Sequence, residues 1–132
     1  MIADIFDTLV SQAASALGVT VVRAFPNWAR PTLVPPLAAL EIAGLLSDRS
    51  RIGQKSAQHV LGLRLFLFAE NEPALAQMLD SVMALEQSIL TLTVAGKDVN
   101  FAFGDGQRHQ NQTGTQQEDH GFSFYVTASY TE

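Results

Sequence analysis

Apolar positions recur along this chain with two periods, and the changes of period mark its elements. Ile2, Ile5, Phe6, Leu9, Val10 and Ala13 fall at i, i+3, i+4, i+7, i+8 and i+11, which predicts a helix over 2–17. Asp4 and Asp7 sit near its positive dipole end, and Gly18 is placed to cap it. A β-branched run over 19–22 predicts a short strand. Five residues of the Phe25–Pro36 stretch (Pro26, Trp28, Pro31, Pro35, Pro36) predict a stiff loop, with Trp28 either lidding the core or anchoring a partner.

Period two then takes over. Leu37–Leu46 and Ala57–Ala69 alternate as two strands of one hairpin. Leu61, Leu63, Leu65 and Leu67 share one face; Val60, Gly62, Arg64, Phe66 and Phe68 share the other. A register in which paired numbers sum to 105 sets Leu40 on Leu65, Ile42 on Leu63 and Glu41 on Arg64, so apolar meets apolar and acid meets base. Ala39, Ala43 and Leu45 join the non-leucine face, which becomes an apolar surface needing a partner if helices cover only the leucines. The connection over 47–56 carries Arg49, Arg51 and Lys55, a solvated tip or a basic finger for an acidic partner.

Asn71-Glu72-Pro73 opens a second helix over 72–88 with apolar positions Leu75, Met78, Leu79, Val82 and Leu85. Strands follow at 90–94 and 99–103, separated by a turn at 95–98. Gly104–Gly121 contains five glutamines and no aliphatic or aromatic core former, which predicts a mobile loop. Phe122–Tyr130 predicts a last strand, with Phe122, Phe124, Val126, Ala128 and Tyr130 on one face. The order α-β-β-β-α-β-β-β, with hairpins and two amphipathic helices, predicts a single α+β domain over 1–132: a mainly antiparallel sheet with both helices on one face.

Composition narrows the functional classes. Only 16% of the 132 residues are charged, below the ~25% of typical soluble domains. The net charge of −5 argues against a general nucleic-acid binder, and no sequence-specific nucleic-acid partner is expected. It is also split. Residues 1–66 carry six basic and four acidic groups, and residues 67–132 carry two and nine, which reads either as a chance split in a short chain or as surfaces that attract one another between copies. No cysteine is present, which excludes disulfides, a thiolate nucleophile and Cys-ligated metals. The amino-terminal Met-Ile-Ala-Asp has no basic region of a signal peptide, and no stretch is suited to a membrane helix, so synthesis in the cytoplasm is expected.

Candidate chemistry is sparse. His109, Glu118, Asp119 and His120 are metal-ligand types on a segment expected to lack rigid support, so no metal or other cofactor is expected. His59 reads as a hydrogen-bonded structural histidine. No nucleophile elbow, phosphate loop or zinc-protease motif occurs, and the expectation is a protein without catalytic activity. A small-ligand-binding or adaptor module, with a closed apolar pocket near Trp28, is the alternative to an assembly subunit.

The sequence of features resembles the small tail terminator (tail completion) proteins of long-tailed phages, of the lambda minor tail protein U kind, and related prophage proteins. The likeness spans helix 2–17, the Pro/Trp loop 25–36, hairpin 37–69, helix 72–88 and the closing Phe-Tyr-Val-Thr-Ala-Ser-Tyr at 124–130. It rests on this order and on no fixed motif. The resemblance implies a homo-oligomeric ring, hexameric in that family, that caps the tail-tube protein and offers a surface to a head-completion protein. It implies a virion-tail location after assembly, with no membrane partner. Candidate partner contacts come from the residues themselves: Arg49, Arg51 and Lys55 on the tip, Trp28, and Arg108 in the polar stretch.

Overall fold

The computed structural model describes residues 1–23, 35–48, 57–109 and 120–131. Helix α1 (Ile2–Leu17) leads to β1 (Val21–Val22), β2 (Leu37–Asp48) and β3 (Gln58–Ala69). Helix α2 (Glu72–Ser88) follows, then β4 (Thr91–Val94), β5 (Lys97–His109) and β6 (His120–Thr131). The six strands form one sheet in the order β1-β2-β3-β6-β5-β4. β1 pairs with β2 in parallel and every other neighbour pair is antiparallel. The α+β architecture and the order of elements are those expected from the pattern.

Both helices end and begin where the sequence puts their signals. Gly18 takes a left-handed φ of 66° and returns its N–H to the Ala14 carbonyl. Arg23 pairs with the Asp7 carboxylate and stacks over the Phe6 ring, tying the end of β1 to α1. At α2, the Asn71 side-chain oxygen accepts from the Ala74 N–H at 2.8 Å. Ile5, Leu9 and Ala13 of α1 and Leu75, Val82 and Leu85 of α2 press on Leu61, Leu63, Leu65 and Leu67 of β3, all nearly or fully buried. Burial of each such leucine stabilises the fold by about 2 kcal/mol.

The hairpin register follows the sum of 105 from Leu37↔Phe68 to Ile42↔Leu63, including Leu40↔Leu65 and Glu41↔Arg64. The Glu41–Arg64 ion pair closes at 3.6 Å. At Ala43 the register slips by one, and Leu45 then faces Leu61. This β-bulge puts Gly44 and Leu46 on the face opposite Leu40 and Ile42, whereas simple alternation placed all four together.

Two expectations about surfaces change. On the sheet face away from the helices, Leu37, Ala39, Phe66 and Phe68 form a second buried cluster, so that part of the face is not open apolar surface. The Phe66 and Phe68 rings stack at 6.3 Å. The polar stretch begins as strand, not loop: β5 continues to His109 and β6 starts at His120. Gly106 pairs with Phe124 and Arg108 with Phe122 after a bulge past Phe103. The Phe122 and Phe124 rings lie over Gly106 so closely that a Cβ there would sit 2.1 Å from a Phe122 ring carbon. The polar strand is therefore ordered by its neighbour's aromatic surface and not by its own composition. Residues 110–119 of the expected loop lie outside the described residues, as does most of the Pro/Trp loop.

The β4–β5 turn is tighter than 95–98. Ala95 and Gly96 alone make it, with φ of 51° and 81°, and Lys97 and Asp98 are already in the ladder. Positive φ at both central positions is the hairpin geometry that follows the twist of the strands.

Candidate assembly interface

An interaction surface on a sheet starts with its edges, where backbone N–H and C=O groups lack a neighbour. On one edge, β1 pairs only with Ala38 and Ala39. Among the described residues, no strand lies beside β2 from Leu40 onward. Ile42 is 54% exposed, Leu45 52% and Leu46 69%. On the other edge, β4 pairs only with the first residues of β5, Lys97 to Asn100. Leu90, 50% exposed, directly precedes β4. Its carbonyl accepts from the Phe101 N–H at 3.1 Å, which holds it against the ladder. Clustered apolar exposure such as that along β2 is a feature of surfaces that become buried in contact, and Leu90 is the large exposed apolar side chain beside the other edge among the described residues.

The sequence-predicted contacts fare differently. Arg49, Arg51, Lys55 and Trp28 lie outside the described residues. Arg108 is already engaged within the chain: it pairs with the Glu72 carboxylate at the start of α2 and approaches His120 Nδ1 at 3.4 Å. His120 Nδ1 lies 3.1 Å from the same Glu72 oxygen. Hydrogen bonds from Arg108 and His120 hold the Glu72 carboxyl well below the usual carboxylate range, at about 2. This cluster fastens the β5–β6 end of the sheet to the first turn of α2.

The histidines do not converge. His109 shares its face of the sheet with Ser123, its Nε2 meeting the Ser123 hydroxyl at 2.5 Å, and its ring packs 6.0 Å from Phe66. His120 sits on the helix-facing side with Glu72. Among the described residues, no group of three or more His, Asp and Glu side chains is arranged to hold a metal ion. His59 is buried, with its Nδ1 2.6 Å from the Ser47 hydroxyl and its ring 5.1 Å from that of Tyr130. That is the hydrogen-bonded, packed environment expected for it. A recess lined by Gln58, Lys97, Asp98, Asn100, Ser129, Tyr130 and Thr131 is open to solvent, and the closed apolar pocket expected near Trp28 lies outside the described residues. Among the described residues no helix is long and apolar enough to cross a membrane.

Sequence reasoning did not single out Ile42, Leu45, Leu46 and Leu90 as a set. The usable signal was the run Ile42-Ala43-Gly44-Leu45-Leu46, too apolar for a strand end beside a charged tip.

No protein-family model matches the sequence, and no curated protein matches it. The fold is similar to that of a chain in a solved structure described as the virion of a native gene transfer agent (GTA) particle. The TM-score is 0.53 at 12% identity, over 90% of this chain and 82% of that chain. At that identity the likeness is one of fold.

Proposed function

We propose that this protein is a structural subunit of a phage-type virion, and more narrowly a tail terminator that closes the end of the tail tube as a ring. The observation that carries the proposal is the fold shared, over nine-tenths of the chain, with a chain of the GTA virion particle. The order of sequence features resembling phage tail terminators supports the narrower form. The half-exposed apolar side chains on both sheet edges supply what a ring subunit needs.

In this reading the product of the protein is a contact, and no catalytic group or cofactor takes part. Copies join head to tail, each using one edge surface toward each neighbour. The closed ring covers the last layer of tail-tube subunits, so no further layer adds. Its outer rim then presents a surface for the head-completion protein. Subunits made in the cytoplasm become part of the virion tail.

The test is deletion of the gene in its phage or prophage, with the particles inspected by electron microscopy. The expected result is tails of irregular, extended length that carry no heads. Particles with tails of normal length and normally attached heads overturn the tail terminator reading. Purified particles that lack the protein altogether overturn the virion reading.

A further inference from the structure

The two edges of the sheet are stepped, and the steps are complementary. β1 covers β2 at Ala38 and Ala39 only. Followed across the sheet, Ala39 pairs with Phe66, Phe66 with Ser123 and Ser123 with Gln107. The short strand β1 therefore sits level with the far end of β5. β4 covers the near end of β5: Thr91 pairs with Asn100, Asn100 with Ser129, Ser129 with Val60 and Val60 with Leu46. Among the described residues, each edge thus has one short cover strand, at opposite ends, and each leaves bare the length that the other edge covers.

Two of the exposed apolar groups lie at one of these levels. Leu90 bonds to Phe101, which pairs with Ala128, Leu61 and finally Leu45. Leu90 and Leu45 are each about half exposed and sit at one height on opposite edges. Strand directions also agree. β5 runs opposite to both β2 and β4, so β4 runs the same way as β2.

We infer that a second copy of this chain occupies the bare length of β2: β4 of one copy lies parallel to residues 45–48 of the next, and Leu90 packs on Leu45 and Ile42. The bulge at Ala43 ends the regular edge just before this stretch. Five residues, Gly44 to Asp48, remain on β2 beyond it, enough to take the four of β4. The contact is heterologous and joins two different edges, so it repeats from copy to copy. A two-fold contact through β2 alone would leave Leu90 bare. The inference rests on the ring reading for its partner, a second copy, and adds which surfaces meet.

The absence of cysteine gives a clean test on the full chain. Leu45→Cys and Leu90→Cys are made singly and together, and assembled protein is oxidised and run on a denaturing gel without reductant. Within one copy the two positions lie four strand spacings apart, roughly 19 Å, too far for an internal disulfide. The expected result is a reducible ladder from the double variant and dimers from an equal mixture of the two single variants. Each single variant alone stays monomeric. Both positions are half exposed, so unchanged thermal unfolding of the reduced variants confirms the fold. Dimers from Leu45→Cys alone overturn the inference in favour of a two-fold contact. Rings visible by electron microscopy without a ladder overturn it while leaving the ring reading standing. A ladder from open filaments that never close keeps the joint and overturns the ring.

Discussion

The two halves of β2 are built from the same residue types and end in opposite environments. Leu37, Ala38, Ala39 and Leu40 are almost fully buried; Ile42, Leu45 and Leu46 are more than half exposed. Propensity and hydropathy do not separate them. Position does: the first half lies under α1, beside β1 and over the Phe66–Phe68 cluster, and the second half runs past that cover. Apolar character in a strand thus identifies what can be buried, and the surrounding elements decide whether the burial happens within the chain or between chains.

The comparison can be broken most severely at Leu40. Leu40→Ala removes a fully buried side chain between the helices and β3, and is expected to lower unfolding free energy by about 3 kcal/mol. Urea denaturation of the monomer measures it. A loss as small as that of a surface change would mean that the first half is not core. Next is Gly106→Ala in β5, where the new methyl meets the rings of Phe122 and Phe124. A cost of about 1–2 kcal/mol is expected, with altered near-ultraviolet ellipticity from the displaced rings. Ala95→Gly acts in the opposite direction, since a left-handed alanine in the β4–β5 turn is replaced by the residue that accepts that backbone. A gain of about 1 kcal/mol by thermal or urea melting is expected. Leu46→Ser sharpens the contrast with Leu40. Its effect on the monomer is expected within about 0.5 kcal/mol, while assembly measured by light scattering falls.

The smallest effect concerns acid. Glu72 has its carboxyl held below the ordinary value by Arg108 and His120, so its ion pairs favour the folded state above the ordinary carboxylate range. That contribution is lost as pH falls from about 4.5 toward about 2. Glu72→Gln is therefore expected to be less stable than the parent at neutral pH, with a shallower decline across that acid window. Urea midpoints taken from pH 6 downward test both halves of the statement.

How far the fold was legible follows from the same physics. α1 and α2 were readable to the residue because their signals are local: the Gly18 cap, the Asn71 cap, and apolar stripes at helical spacing. The β2–β3 register was readable because one phase satisfied Leu40, Glu41 and Ile42 together. The bulge was not, since an added residue leaves alternation on either side intact. The strand character of 104–109 was hidden because Gly106 and Gln107 carry no apolar signal and borrow order from Phe122 and Phe124. The candidate site was less legible. Arg108 looked free for a partner, yet its carboxylate partner Glu72 lies 36 positions away. Exposure at Leu45 and Leu90 depends on where cover ends on each edge, which no local pattern reports.

The extra residue at Ala43 has a consequence for the free subunit. An edge as apolar as Ile42–Leu46 invites indiscriminate stacking of strands and, at the concentrations of synthesis, insoluble fibres. A bulge bends and over-twists the edge, which removes the flat template that such growth requires. Deleting Ala43 would leave the neighbouring pairs in their present faces and straighten the edge. A chain so shortened is expected to fold and then precipitate, with the loss of soluble yield as the measure of what the kink prevents.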